Sequence, residues 1–250
     1  MARARGLLED AARVFILTGV GISAESGVPT FRGEDGLWRS YRPEELATPQ
    51  AFRRDPRLVW EWYGWRREKV SKCQPNPGHR ALARIALDRP AQIITQNVDG
   101  LHEVAAKLEA GGADWEAASP LELHGSLFRV RCTECGFHGS DRAPVDATDR
   151  ESLPSCPECG ALLRPDIVWF GEALDPVVLA AAFDEAREAD LCLVVGTSAV
   201  VQPAASLPRI TSEAGGFVIE VNPQPTPLTG FADVALHGLA GVVLPTLMGD

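Results

Sequence analysis

Four short apolar runs stand out along the chain, and none of them alternates strictly between apolar and polar positions. Such runs, rich in Val, Ile and Leu, are typical of strands that are buried on both faces of a parallel sheet. Each run is followed directly by a motif of small or amide-bearing residues. The predicted strands are Val14–Leu17, Gln92–Ile94, Leu191–Val195 and Phe217–Val221.

Segments with helical spacing lie between these runs. The alternation of strands and helices predicts an α/β fold with a Rossmann-like parallel sheet. Ligands of such sheets bind beyond the carboxyl ends of the strands, so we expect the motifs after the four strands to face one crevice. The predicted helices are Arg57–Lys72, Gly78–Asp88, Leu101–Glu109, Pro176–Glu188 and Pro203–Glu213.

Two segments interrupt this alternation and divide the chain. Residues 36–74 are predicted to form a loop and helical module beside the crevice. Residues 128–165 are polar and rich in turns, and they hold too few apolar residues to build a core without a metal. The Rossmann-like domain is then expected to comprise residues 1–35, 75–127 and 166–250.

Two C-x-x-C pairs in the second inserted segment predict a metal site. Four thiolates complete a tetrahedral zinc shell with bonds of about 2.3 Å. The alternative is a pair of disulfides, which is disfavoured because the chain does not start with the apolar core of a signal peptide. We therefore predict a structural zinc, with no open position for a substrate, bound by Cys132, Cys135, Cys156 and Cys159.

The segment Gly19–Ala24 follows the first predicted strand and matches the loose G-x-G-x-x-A pattern. Glycines at these positions allow a tight turn and the close approach of a pyrophosphate. The alternative is an ordinary glycine-rich turn at a strand end. A second strand with a ribose-binding acid about twenty residues further on is missing, so we expect a nucleotide in a non-standard pose.

His124 is the histidine with the strongest local claim to a catalytic role. It is bracketed by Leu123 and Gly125 near the junction with the second inserted segment. The alternative is a buried histidine that only makes structural hydrogen bonds.

Charge and hydropathy exclude other classes of function. The chain carries 24 basic and 34 acidic residues, and its net charge of -10 argues against non-specific binding to nucleic acid. No apolar run approaches the roughly eighteen residues that are needed to span a bilayer. We expect a cytoplasmic protein with neither nucleic-acid nor membrane partners.

These motifs occur in the order and spacing of the sirtuins, the NAD-dependent protein lysine deacylases, and the chain resembles that family from about Arg13 to Pro245. One departure is Val20, which replaces the usual alanine and adds two methyl groups beside the expected pyrophosphate. The matching segments are Gly19–Ser23, Thr30–Arg32, Thr95–Asp99, Leu123–Gly125, the two cysteine pairs, Val168–Glu172, Gly196–Ser198 and Val221–Asn222.

The resemblance implies that NAD is consumed as a co-substrate with an acylated-lysine protein or peptide, which accounts for the missing ribose acid. The acyl oxygen attacks the ribose carbon that carries nicotinamide, and nicotinamide leaves. His124 then serves as the general base on the ribose hydroxyls, so that one of them attacks the imidate carbon, and water completes the release of free lysine and O-acyl-ADP-ribose. Asn97 is the second catalytic residue that the resemblance implies, because it orders the reacting end.

The resemblance also implies a set of binding residues. Phe31 lies on the loop that covers nicotinamide in the family. Backbone groups of Val168, Phe170 and Gly171 are expected to pair with the substrate peptide as an added strand. The implied NAD-binding residues are Gly19, Gly21, Ser23, Ala24, Phe31, Arg32, Trp38, Gln96, Asn97, Asp99, Gly196, Thr197, Ser198, Asn222, Pro223, Gln224 and Ala240.

Tyr63 and Arg66 are three residues apart on a predicted helix and therefore share one face. A phenol and a guanidinium together suit a carboxylate. The alternative is an amphipathic helix with its aromatic residues in the core and its arginines in water. Arg67 is rotated by about 100° and is expected to point away from Tyr63, as a control position.

Tyr-x-x-Arg at this place, with the upstream segment Ala47–Phe52, resembles the class III sirtuins, which remove succinyl, malonyl and glutaryl groups. The resemblance thus implies a desuccinylase, demalonylase and deglutarylase with weaker deacetylase activity. The alternatives are a simple protein deacetylase, a protein ADP-ribosyltransferase and a non-catalytic NAD-sensing module. His124 and Asn97 argue against the last of these.

Overall fold

The computed structural model describes residues 1–28 and 43–249, so the predicted NAD-binding residues Phe31, Arg32 and Trp38 lie outside the described residues. No helix in the described ranges is both long and apolar enough to cross a membrane. Within these ranges the strands are β1 Val14–Thr18, β2 Ala91–Thr95, β3 Leu121–Glu122, β4 Gly125–Cys132, β5 His138–Ser140, β6 Leu163–Ile167, β7 Leu191–Val195, β8 Phe217–Asn222 and β9 Val234–His237. The helices are α1 Ala2–Asp10, α2 Val20–Ala24, α3 Pro43–Leu46, α4 Pro49–Arg54, α5 Pro56–Val70, α6 Pro77–Asp88, α7 Leu101–Ala110, α8 Pro176–Glu188, α9 Leu207–Glu213 and α10 Ala240–Met248.

In the described part of the chain, six strands form one parallel sheet in the order β3-β2-β1-β7-β8-β9. Successive residues of β1 point to opposite faces of this sheet. Val14 and Ile16 pack in a cluster with α1, α6 and α10, whereas Phe15 and Leu17 pack in a cluster with α8 and α9. Helices thus cover both faces, which explains why β1 is buried throughout and apolar from Val14 to Leu17. The predicted α/β fold is confirmed.

Some elements differ from the sequence prediction. The helix predicted from Pro203 opens with a 3₁₀ turn, and α9 begins only at Leu207. Pro208 lies in the first turn of α9, where its missing N–H costs no helical hydrogen bond. The short strands β3 and β9 and the terminal helices α1 and α10 were not predicted.

A smaller antiparallel sheet, in the order β5-β4-β6, carries the cysteine pairs. Helix α5 packs on it and shares one hydrophobic cluster with β4 and β6. The Asp55 carboxylate accepts the Leu58 N–H (3.0 Å) at the start of α5, and Pro56 occupies the first turn. The indole N–H of Trp60 donates to the Leu163 carbonyl of β6 (2.9 Å), so α5 is attached to this sheet by a buried polar contact as well.

Candidate active site

The motifs that follow β1, β2 and β7 are hydrogen-bonded to one another at the carboxyl edge of the large sheet. The N–H of Gln96, after β2, donates to the Thr18 carbonyl of β1 (3.0 Å). The N–H of Gly19, after β1, donates to the Val195 carbonyl of β7 (3.1 Å), and Gly196 donates to β8 (3.0 Å). The predicted crevice therefore lies along this edge.

A glycine-rich turn leads from β1 into α2 and packs directly on the loop after β7. The N–H of Gly21 donates to the Gly196 carbonyl (2.7 Å). A Cβ atom at Gly21 would lie 2.6 Å from that oxygen, and one at Gly196, whose φ is +61°, would lie 2.4 Å from the Ile22 nitrogen. Packing between the two loops thus requires glycine here. Val20 and Ala24, the first and last residues of α2, are exposed.

Asn97 is buried between the glycine turn and β2. Its side-chain N–H₂ donates to the Gly19 carbonyl (3.1 Å) and to the Ser23 hydroxyl (3.0 Å). Its backbone N–H donates to the Thr95 hydroxyl (3.0 Å). Within the described ranges no group donates a hydrogen bond to the Asn97 amide oxygen. The side chain is therefore fixed, and its oxygen can accept a hydrogen bond from a ligand.

His124 lies directly after β3, half-buried, and its ring is oriented by Gln96. The distance from His124 Nδ1 to the Gln96 carbonyl oxygen is 3.0 Å. Because a carbonyl only accepts, Nδ1 carries the proton and Nε2 of the neutral ring is a base. Burial lowers the pKa of His124, and the hydrogen bond to Gln96 opposes this shift only in part. The Gln96 side chain donates to the Thr197 hydroxyl (3.1 Å).

Asp99 is buried at the start of α7. Its carboxylate accepts the N–H of Leu101, the first residue of the helix (2.9 Å). Burial raises the pKa of Asp99, while the Leu101 N–H, the Ser23 hydroxyl and the Arg66 guanidinium oppose that shift. Asp99 thus lies between the glycine turn and the acyl-binding residues predicted on α5.

Further predicted NAD-binding residues lie after β7, β8 and β9. The Asn222 side chain donates to the Gln224 carbonyl (3.1 Å) and approaches the Thr197 carbonyl (3.5 Å). The backbone of Ala240 packs against Gly78 of α6, and Ala240 is buried in the hydrophobic cluster on that face of the sheet. The other predicted residues of this group, both exposed, are Ser198 and Pro223.

In the segment predicted to pair with a substrate peptide, two backbone N–H groups already donate to other parts of the chain. The N–H of Val168 donates to the His124 carbonyl (3.0 Å), and the N–H of Phe170 donates to the Ala47 carbonyl (3.0 Å). Of the three predicted residues, only Gly171 has a backbone N–H without an acceptor in the described part of the chain. An added strand could therefore use the N–H of Gly171 but not those of Val168 and Phe170.

Tyr63 and Arg66 lie side by side in the interior, as their spacing predicts. The Arg66 Cζ atom is 5.9 Å from the Tyr63 ring centroid and 5.0 Å from the Trp62 ring centroid. Burial raises the pKa of Tyr63 to about 12, so the phenol is protonated at neutral pH. Burial lowers the pKa of Arg66, but a guanidinium stays charged in proteins. The alternative with arginines in water is therefore wrong for Arg66.

Arg67 is also buried, and it is unsuitable as a neutral control. It points away from Tyr63 and donates to the Leu127 carbonyl (2.6 Å) and the Asp141 carboxylate (3.0 Å). Its guanidinium also lies over the Trp60 ring, 5.1 Å from the centroid. Arg67 thus attaches α5 to the small sheet, and its removal would leave buried acceptors without a partner.

The four cysteine thiols converge, with all Sγ atoms within 4.8 Å of one another. The Sγ distances are 3.5 Å for Cys132 to Cys159 and 3.5 Å for Cys135 to Cys156. A disulfide needs about 2.05 Å, whereas thiolates around a tetrahedral zinc lie about 3.8 Å apart. The residues fit zinc. β4 runs from beside His124 to Cys132, about 20 Å at the rise of a strand, so the metal lies far from the crevice.

The Sir2 family model matches residues 19–203, which is most of the chain. The chain belongs to the Sir2 family. It is 51% identical to the NAD-dependent protein deacylase of Pyrococcus furiosus, over 98% of this chain and 95% of that protein. It is 53% identical to NAD-dependent protein deacylase 1 of Archaeoglobus fulgidus, over 93% and 90% respectively.

Solved Sir2 structures have the same fold. A Sir2 homolog–NAD complex superposes with a TM-score of 0.90 at 49% identity, covering 100% of this chain and 93% of that chain. A Sir2 complex with a deacetylated p53 peptide and 3′-O-acetyl ADP ribose gives a TM-score of 0.84 at 30% identity, covering 100% of this chain and 97% of that chain.

Two further residues of this Sir2 protein lie behind the crevice, and sequence reasoning missed both. His79 Nε2 is 3.3 Å from the Ser23 hydroxyl, and His102 Nε2 is 2.9 Å from the Thr18 hydroxyl. Burial lowers the pKa of His79 to about 2 and that of His102 to about 4, so both rings are neutral. The sequence feature that could have located His79 is Asn76, which caps α6 and so places His79 in the first turn of that helix.

The donor set of the Sir2 crevice fits a dinucleotide. It combines amide side chains, hydroxyls and a glycine turn, which suit phosphates, ribose hydroxyls and a carboxamide. The free amide oxygen of Asn97 and the unprotonated Nε2 of His124 are acceptors for the hydroxyl or amide donors of such a ligand.

Proposed function

We propose that this protein is an NAD-dependent protein-lysine deacylase with a preference for acyl groups that carry a carboxylate. The products are nicotinamide, free lysine and O-acyl-ADP-ribose. The names of its relatives and the peptide complex of a Sir2 neighbour support the deacylase activity on acylated lysine. The observation that carries the acyl preference is the buried pair of Tyr63 and Arg66.

The crevice residues hold NAD, which supplies a glycosidic bond whose cleavage activates the ribose for acyl transfer. The turn from Gly19 to Ser23 faces the phosphates, and Asn222 with its neighbours faces the adenosine half. Asn97 orients the nicotinamide end, because two hydrogen bonds hold its amide plane while the oxygen stays available. Gln96 links this end to His124 through its backbone carbonyl.

The Nε2 atom of His124 takes a proton from a ribose hydroxyl. The hydrogen bond from Nδ1 to Gln96 fixes the tautomer, and the lowered pKa keeps the ring neutral at pH 7. A base of this kind contributes typically about 10²–10⁴-fold to the rate.

Tyr63 and Arg66 bind the carboxylate of the acyl group. A buried guanidinium is desolvated, and an anion that it can bind through two parallel hydrogen bonds offsets this cost. The phenol adds a neutral donor beside it. An acetyl group has no carboxylate and offers neither contact.

The four cysteines bind a structural zinc. It holds the small sheet, to which α5 is attached through Trp60 and Arg67. The zinc thus supports the helix that carries Tyr63 and Arg66.

One peptide carrying acetyl-, succinyl- or glutaryl-lysine tests the proposal. We expect higher kcat/KM for the two acidic groups and O-acyl-ADP-ribose in the mass spectrum of every reaction. Equal or higher kcat/KM for acetyl-lysine would overturn the acyl preference and leave a simple deacetylase. ADP-ribosylated protein without O-acyl-ADP-ribose would overturn the deacylase activity.

A further inference from the structure

The indole of Trp169 is held from several sides next to the acyl-binding pair. Its N–H donates to the Tyr63 oxygen (2.8 Å), and Trp169 as a whole is 2% exposed. The Arg164 guanidinium stacks on the ring, with Cζ 3.2 Å from the centroid. The centroid of the Phe52 ring lies 5.5 Å from that of the Trp169 ring.

Glu172 holds this arrangement in place. Its carboxylate accepts two hydrogen bonds from Arg164 (2.6 and 2.9 Å) and one from the Trp169 backbone N–H (2.8 Å). Arg131 donates to the same carboxylate (3.1 Å). The indole therefore has little freedom to turn away from Tyr63.

The contact with Trp169 determines what the Tyr63 hydroxyl can do. The phenol oxygen accepts from the indole, so its own O–H must point elsewhere. In the described part of the chain no group accepts the Tyr63 proton, although Tyr63 is fully buried. Buried donors are nearly always bonded, so this hydroxyl proton is available to an acceptor on a ligand.

We propose that Trp169 is a positioning residue for acyl selectivity, whose indole N–H occupies the acceptor side of Tyr63 and leaves the hydroxyl as a donor to the acyl carboxylate. This inference rests on the proposed acyl preference. Without the indole N–H, the hydroxyl can turn and accept from water or a guanidinium, and its fraction in the donor orientation falls.

The test compares Trp169→Phe with Trp60→Phe. Both variants remove a buried indole N–H, but the N–H of Trp60 donates to the Leu163 carbonyl instead of to Tyr63. We expect the ratio of kcat/KM for succinyl- over acetyl-lysine to fall by about two- to tenfold in Trp169→Phe, the effect of one neutral hydrogen bond. The ratio should be unchanged in Trp60→Phe.

A double variant separates positioning from packing. If Trp169 acts through Tyr63, adding Trp169→Phe to Tyr63→Phe should lower the ratio no further. Benzothienylalanine at position 169, which exchanges N–H for sulfur within the same bicyclic shape, gives the same comparison if Trp169→Phe fails to fold.

The possible failures are distinguishable. If Tyr63→Phe lowers the ratio while both changes at position 169 leave it intact, the role of Trp169 is overturned and the acyl preference stands. Equal slowing of both substrates also overturns the role of Trp169. If Tyr63→Phe and Arg66→Met both leave the ratio intact, the acyl preference itself fails.

Discussion

Replacing Arg66 by Met removes the proposed carboxylate-binding charge and keeps an unbranched side chain as far as the position of Nε. Arg66 is 7% exposed, so water screens its contact with an acyl carboxylate only weakly. A charge-assisted hydrogen bond contributes about 1.5–3 kcal/mol. At about 1.4 kcal/mol per decade, kcat/KM for succinyl-lysine should fall roughly ten- to hundredfold.

The assay measures kcat/KM for succinyl- and acetyl-lysine versions of one peptide. Acetyl-lysine has no carboxylate, so its value should fall little or rise as the site becomes apolar. The matched control is Arg57→Met on the same helix, because Arg57 is exposed and pairs with Glu61 one turn away (3.4 Å). Arg66→Lys keeps the charge but loses the planar fork, and we expect an intermediate loss.

Thermal melts of each variant show whether the fold is intact. Arg66 also stacks on Trp62, and losing that contact affects both substrates alike. Only a change in the ratio of the two kcat/KM values therefore bears on carboxylate binding. If Arg66→Met slows both substrates by the same factor, α5 is only a scaffold and the carboxylate-binding role is refuted.

His124→Ala removes the proposed base, so deacylation should slow by roughly 10²–10⁴-fold while calorimetry still detects acyl-peptide binding; near-normal turnover would contradict the role. The buried histidines have folded pKa values of about 4 for His102 and about 2 for His79, below the unfolded value of about 6.5. Below about pH 6.5 the unfolded state therefore binds more protons than the folded state. As the pH falls from there to its folded pKa, each histidine should lower the free energy of unfolding, measured in urea, by roughly 1.4 kcal/mol per pH unit. Unchanged stability from pH 6.5 to 5 would argue against buried neutral rings. Cys132→Ser should lower the zinc content, measured by mass spectrometry, and the melting temperature together; active, stable protein without zinc would rule the metal out.

Local sequence was sufficient to predict the four central strands of the large sheet, the crevice at their carboxyl ends and the convergence of the cysteines. Leu191–Val195 is apolar at every position because helices cover both faces of the sheet, and this leaves a direct pattern in the chain. Parallel strands bring their carboxyl ends to one edge, so the motifs that follow them had to meet. Each C-x-x-C pair brings two thiols together within a few residues.

Only the tertiary structure decided the state and surroundings of the site residues, because their partners are distant in sequence. Gln96, which sets the His124 tautomer, is 28 positions away. Leu127, which accepts from Arg67, is 60 positions from it, and Trp169 is 106 positions from Tyr63. Helical spacing shows that Tyr63 and Arg66 share a face and that Arg67 does not. What packs against each face is determined by how α5, the small sheet and the loop around Trp169 come together, since burial and hydrogen bonding depend on these contacts.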